Sequence, residues 1–302
     1  MSLSFFSFLP VVDRGLKSIK VECDLHECHS RQVIRSIPGG RQGIRVGQQW
    51  YCSADCFALA ARTPLAALAN RRIVEIRRNP RLSLGLAMHA KGYLTTEQLK
   101  YASARCVPGD DGLAEAVVRL GLATEKQVAA ARAVQWGYPA LAQDYVGLMV
   151  QADIPRAILE ACSAVPLHYS VTAKRILLGF VTRVEHSILE PVEQMTGCRV
   201  EPCFITRTEF EEQMERVTVF PNYEEMVVHD PGSPAKMART VGRAAVDIGA
   251  REASFTQFKS LVWARVSGKR GKIDVVFHAG RAVEEPRFEK FEISDESIAS
   301  LG

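Results

Sequence analysis

Apolar positions recur at helical spacing twice in close succession along the middle of the chain. In residues 83–98, SLGLAMHAKGYLTTEQ, the stripe runs through Leu84, Ala87 and Met88, breaks at Gly92, resumes at Leu94, and continues beyond that stretch to Leu99 and Ala102. In residues 112–127, GLAEAVVRLGLATEKQ, it runs through Leu113, Ala116 and Val117 and breaks at Gly121. Every matched position is shifted by 29 residues, so Gly92 maps to Gly121, Thr95 to Thr124 and Gln98 to Gln127. The spacing predicts helix, glycine turn, helix in each unit. The T-x-x-Q pairs predict a capping box at the start of each second helix. The turn VPGDD links the units.

Beyond the repeat the pattern changes. AILEACSAVPLHYSVTAKRILLGFV (157–181) reads as helix, VPL turn, strand, turn, strand. HSILEPVEQMTGCRVEPCFITRTEFEEQMERV (186–217) reads as helix, turn, strand, helix. Residues 218–223 and Pro231–Pro234 read as linker. AKMARTVGRAAVDIGAREASFTQF (235–258) predicts an amphipathic helix ending near Gly249. LVWARVSG and KIDVVFHA follow as two strands joined by the basic turn SGKRGK. Residues 65–78 read as a basic helix that Asn79-Pro80 ends.

The cysteines add a second kind of signal. CDLHEC (23–28) and WYCSADCF (50–57) place Cys23, Cys28, Cys52 and Cys56 in the frame C-x4-C, a gap of 23, C-x3-C. Two close pairs can supply four thiolates to a tetrahedral zinc ion, and the turn IPGGRQG between strand-like stretches brings the pairs together. The second pair opens a helix, whose N-terminal amides favour thiolate. His26 and His29 are substitute ligands, though four cysteines suffice. No open coordination position or neighbouring base is evident, which points to a structural ion. The order of knuckle, hairpin and Y-C-S-x-x-C-F helix resembles treble-clef zinc fingers over residues 21–62.

The two 24-residue units, 83–106 and 112–135, resemble the MshEN-type N-terminal domain of type II secretion and type IV pilus assembly ATPases, where each unit reads R-L-G-x6-G-x6-L-x3-L-x2-Q. WGYPAL (136–141) and the order of elements to residue 217 extend the resemblance over residues 80–217. That family form binds cyclic di-GMP through the leading arginines and the backbone around the glycines, with apolar residues beneath the bases. The resemblance implies a ligand frame of Leu84, Gly85, Gly92 and Leu99 in unit one, and of Leu113, Gly121, Val128 and Gln135 in unit two. The frame departs from the pattern at several places. Ser83 and Gly112 replace the two arginines, and Arg81 is out of register. Ser103 and Cys106 replace the last Leu and the Gln of unit one, and in unit two Ala114, Val128 and Arg132 replace the first Gly, the first Leu and the second Leu. Serine and glycine cannot make an arginine's bidentate and stacking contacts. In the C-terminal third, Ala245, Gly249, Ala250, Arg265 and Asp274 resemble an eroded form of the next domain of those ATPases.

Composition excludes rather than selects. The net charge of +4 is too weak to imply nucleic acid, and the clusters Arg71-Arg72, Arg77-Arg78 and Lys269-Arg270 read as solvated faces. Arg31, Arg35, Arg41 and Arg45 line the finger hairpin without interleaved aromatics. No apolar run reaches the roughly 20 residues of a membrane span. The N-terminus, MSLSFFSFLPVV, lacks a basic leader region, so a cytoplasmic location is expected. No G-x-x-x-x-G-K-[ST] occurs, and His89, His168, His186, His229 and His278 stand isolated.

The expected chain is therefore an α+β multidomain protein. Residues 1–62 form a zinc finger with an N-terminal tail. Residues 63–217 form a helical-hairpin repeat with a small α/β subdomain (140–217), and residues 218–302 form a small α/β domain. The expected role is a non-enzymatic regulator or adaptor contacting protein components of a secretion or pilus apparatus. The alternatives are a cyclic di-GMP sensor and a zinc-finger nucleic-acid regulator.

Overall fold

A computed structural model describes residues 19–28, 31–34, 43–71, 80, 82–109, 111–141, 150–218 and 220–279. The N-terminal part is two antiparallel hairpins and a helix: β1 (Ile19–Glu22) with β2 (Arg31–Ile34), β3 (Ile44–Val46) with β4 (Gln49–Tyr51), and α1 (Ala54–Asn70). Ser53 caps α1, accepting from the Cys56 amide. The end of the predicted basic helix at 65–78 lies outside the described residues beyond Arg71.

The repeat folds as α2 (Leu84–Ala90), α3 (Thr96–Ser103), α4 (Gly112–Arg119) and α5 (Glu125–Trp136). Both glycine turns have the same atomic design. Gly92 and Gly121 sit at φ +71° and +65°. The Tyr93 and Leu122 amides reach back to the Met88 and Val117 carbonyls, each at 2.9 Å, while the Gly92 and Gly121 amides bond to His89 and Val118. This six-to-one and five-to-two pairing is a Schellman motif, which needs a left-handed residue at the turn. Thr95 with Gln98, and Thr124 with Gln127, then form the two predicted capping boxes. The four helices enclose Ala87, Met88, Leu94, Ala102, Val117, Val128 and Ala131.

The α/β half comprises β5 (Val150–Gln151), α6 (Arg156–Cys162), β6 (Ala164–Ser170), β7 (Arg175–Phe180), α7 (His186–Thr196), β8 (Arg199–Phe204), α8 (Arg207–Arg216) and β9 (Val217–Thr218). β6 and β7 are antiparallel, and α7 carries the chain over to β8, parallel to β7. The stretch expected to be a VPL turn is strand. Pro166 lies in β6, at the edge of the three-stranded sheet and beside a register shift, where its missing N–H is tolerated.

The last part contains β10 (Tyr223–Val228), α9 (Pro234–Ile248), β11 (Ala250–Phe258), β12 (Leu261–Gly268) and β13 (Gly271–His278). α9 ends at Gly249, φ +59°, as expected. The stretch 250–258, for which no element is predicted beyond the helix end, is a strand that pairs antiparallel with β12. β10 begins at Tyr223, where a linker was expected to end.

One sheet joins the two ends of the chain, in the order β10-β13-β12-β11-β3-β4. Sequence patterning treated the finger (1–62) and the C-terminal third (218–302) as separate units; the structure joins β3, β4 and α1 to α9 and the C-terminal strands in one core. β12 is buried on both faces, so its alternate residues serve two cores. Leu261 and Trp263 pack with the α/β half, while Val262, Ala264 and Val266 face Phe57, Ala61, Leu65, Met237 and Val241.

Between the sheet and the α/β half lies a buried polar network. Arg265 donates to both carboxylate oxygens of Asp274, from Nε at 2.8 Å and Nη2 at 2.6 Å, and also to the carbonyls of Asp153 and Met195. Tyr223 Oη donates to Asp274 Oδ2 (2.8 Å), Tyr169 Oη to Asp153 Oδ1 (2.8 Å), and Lys272 Nζ to Asp153 Oδ2 (2.5 Å). Burial works against the Arg265 charge, but Asp274 and Asp153 outweigh it and hold its pKa above the usual value.

Candidate functional site

Two places carry chemistry. The first is the cysteine cluster. Cys23 and Cys28 flank a turn closed by the Cys28 amide on the Leu25 carbonyl, at 2.8 Å. Cys52 follows β4, and Cys56 lies in the first turn of α1. The four Sγ atoms lie within 4.8 Å of one another, with Cys28–Cys52 and Cys52–Cys56 each at 3.6 Å. A metal–sulfur bond of about 2.3 Å in a tetrahedron demands sulfur–sulfur edges of about 3.8 Å, so this spacing suits such an ion. The Cys52 amide points at Cys23 Sγ, at 3.5 Å, as a donor to a thiolate would. Without a cation Cys52 and Cys56 resist ionisation, burial being the leading cause for both. Burial first, then sulfur hydrogen bonds from Cys28, Cys56 and Cys23, push Cys52 up to about 12. A bound cation inverts that balance and holds the sulfurs as thiolates. His26 is outside the cluster, and His29 lies outside the described residues.

The second place is the repeat frame, and the structure brings only part of it together. Gly85 is buried; a Cβ there would stand 2.8 Å from Leu99 and 3.3 Å from Leu113, so its bareness lets those two leucines close over α2. Gly92 and Gly121 serve the turns and are exposed, Val128 is core, and Leu84 and Gln135 are half-buried. Ser83 acts as the N-cap of α2, accepting from the Leu86 amide. Arg81 lies outside the described residues.

At the other missing arginine the position is closed. A Cβ on Gly112 would fall 1.8 Å from the Val107 carbonyl oxygen. Beside it, the Asp111 carboxylate receives Arg132 Nη2 on one oxygen, and Arg207 Nη2 (2.9 Å) and Thr182 Oγ1 (3.2 Å) on the other. Arg132 also donates to the Val181 carbonyl and is 4% exposed. Its burial pulls its pKa down, against the opposing pull of Asp111. The cluster ties the inter-unit turn and α5 to the loop after β7 and to α8. Sequence reading missed Asp111, Thr182 and Arg207, which are 71 and 96 positions apart from Asp111 along the chain. One signal was present: Arg132 stands where the repeat pattern wants an apolar residue.

The isolated histidines have structural partners. His89 Nδ1 lies 2.9 Å from the Leu94 carbonyl, His186 Nε2 lies 2.8 Å from Tyr138 Oη, and the His229 and His278 rings lie 4.8 Å apart, tilted by 30°. Among the described residues, no helix is long and apolar enough to cross a membrane.

No family model matches the chain. Over 129 residues it is 30% identical to the type IV pilus assembly ATPase PilB of Thermus thermophilus, an alignment covering 42% of this chain. That stretch is related to a pilus assembly ATPase. The match spans 14% of the relative's length. Among solved structures, the N-terminal domain of XpsE aligns with 47% of this chain and 97% of its own, at 20% identity and a TM-score of 0.34. The structure of MshE with cdg aligns with 45% of this chain and 99% of its own, at 15% identity and a TM-score of 0.35. These superpositions score too low to establish a common fold.

Proposed function

We propose that the chain is a non-enzymatic adaptor or regulator in a secretion or pilus apparatus, acting in the cytoplasm by protein contact rather than by nucleotide chemistry. The observation that carries this reading is the closed second unit of the repeat. The helix-turn-helix frame is intact to the level of its capping boxes, yet Gly112 has no room for a side chain. The neighbouring Asp111 is a half-buried carboxylate that occupies both Arg132 and Arg207, so neither guanidinium is free for a phosphate. The sequence relation to a pilus assembly ATPase supports the setting. We assign zinc to the four cysteines, in a structural role: four thiolates at tetrahedral spacing are a soft, closed donor set.

A calorimetric titration of zinc-loaded protein with cyclic di-GMP tests the central point. The expected result is no heat at micromolar ligand and no ATP turnover in the same preparation. A saturable heat at one site per chain would replace this reading with the sensor reading. Complex formation with purified proteins of a pilus or secretion apparatus is the positive counterpart, read by size-exclusion chromatography.

A further inference from the structure

The cysteine cluster is built into the core of the other end of the chain. α1, whose first turn carries Cys56, lays Phe57, Ala61 and Leu65 against Met237, Val241 and Ala245 of α9 and against Val262 and Val266 of β12. Cys23, Leu25 and Cys56 pack at the rim of that same cluster. The Phe57 and Phe255 rings stack at 6.2 Å. α1 and α9 approach so closely at Gly242 that a Cβ there would sit 2.8 Å from the Ala58 Cβ. The backbone link is slight by comparison. β3 pairs with β11 through Glu252 with Arg45 and Ala253 with Val46. Strands of three residues with so short a ladder do not hold themselves in place.

We propose that metal binding at Cys23, Cys28, Cys52 and Cys56 controls the packing of the C-terminal helix and sheet, so that both ends of the chain form one metal-dependent unit. The inference rests on the zinc assignment made above. The ion fixes the β1–β2 turn, the end of β4 and the start of α1 relative to one another. Those are the pieces that present Tyr51, Phe57, Ala61 and Leu65 to α9 and β12. Metal binding supplies folding free energy where a preformed site does not otherwise exist. Loss of the ion therefore frees α1 and the β3–β4 hairpin and uncovers the apolar face of α9 and β12. The repeat has a core of its own and stays folded, while the α/β half shares its core with β12 and β13 through Leu261, Trp263 and Val276.

The test uses the full chain, zinc-loaded and then stripped with a chelator, with hydrogen exchange followed by mass spectrometry. Protection within 237–258 is expected to fall at least about tenfold on stripping and to return with zinc, while protection within the repeat, 87–131, stays unchanged. Coupling is reciprocal, so a change at α9 must alter zinc affinity at the cysteines. Gly242→Val, far from the ligands in sequence, is expected to weaken zinc binding about tenfold in a chelator competition, whereas Thr124→Ala in the repeat leaves it unchanged. Phe255→Leu, which removes the ring stacked on Phe57 but keeps an apolar side chain, gives the same direction of change if the valine variant does not fold. A chain that binds one zinc with unchanged exchange in 237–258 would overturn the coupling alone. A chain that binds no zinc would overturn the metal assignment and the coupling together.

Discussion

Arg265 and Asp274 face each other on neighbouring antiparallel strands, joined by two hydrogen bonds of 2.8 and 2.6 Å and 4% and 0% exposed. They sit at the joint between the C-terminal sheet and the α/β half, where Asp153 and the Met195 carbonyl complete the guanidinium's contacts. A charge withdrawn this far from water is tolerable only while its partner is present, so removing one partner costs about 3–5 kcal/mol. Asp274→Asn and Arg265→Met are each expected to lower unfolding free energy by that order in urea denaturation. The double variant Arg265→Met with Asp274→Leu is expected to cost clearly less than the sum of the singles. Strict additivity would mean the pair is not coupled.

The twin capping boxes predict twin energetics. The Thr95 and Thr124 amides each meet a Gln side-chain oxygen at 2.8 Å, and their hydroxyls each accept a backbone amide at 3.2 Å. Thr95→Ala and Thr124→Ala should each cost about 1 kcal/mol. Gly92→Ala and Gly121→Ala meet no neighbouring atom within 4 Å, so their cost is backbone strain alone, about 1–2 kcal/mol. Thermal unfolding should rank the two members of each pair alike. A difference of several kcal/mol within a pair would show that the two units do not bear load equally.

Much of this was legible in the sequence because it is local. The Schellman turns, the capping boxes and the end of α9 at Gly249 each follow from residues within six positions of one another. The cysteine frame was legible for a different reason: few other arrangements explain two close thiol pairs before a helix. The joint between β3 and β11 was not, because two residue pairs separated by some 200 positions leave no periodic trace. Nor was the Asp111 cluster, whose members come from four separate elements. β11 was hidden by its position directly behind a strong amphipathic helix.

Acid should loosen the joint at the N-terminus of α7. Glu185 bonds Ser187 Oγ at 2.8 Å and Lys259 Nζ at 3.1 Å, the lysine lying in the β11–β12 turn. Burial alone would raise the Glu185 pKa, but Ser187, Lys259 and Arg183 together hold it below the usual value. A carboxyl depressed in the folded state contributes stability above its unfolded pKa, and that contribution is lost as pH falls through the folded value. Wild-type stability should therefore decline below about pH 4.5, the ordinary carboxyl range, and Lys259→Met should flatten part of that decline. Equal slopes in the two proteins would remove Lys259 from the account.

The Asp111 cluster predicts an asymmetry between its two principal partners. Arg132 has 5% of its side chain exposed, whereas Asp111 has 20% and keeps Arg207 and Thr182 when Arg132 is gone. Asp111→Ala strands a buried guanidinium, which costs about 3–5 kcal/mol. Arg132→Leu restores the apolar residue that the repeat pattern has at that place. It leaves a carboxylate that still has two donors, at a cost of only about 1–2 kcal/mol for the unpaired Val181 carbonyl. Urea denaturation of the two variants should therefore separate by at least about 1 kcal/mol, with the alanine variant the weaker. Gly112→Arg should bring no cyclic di-GMP binding, because the Val107 carbonyl occupies the space a side chain needs. A titration in which that variant gained the nucleotide would show that the 107–112 turn yields, and that the second unit is open in solution.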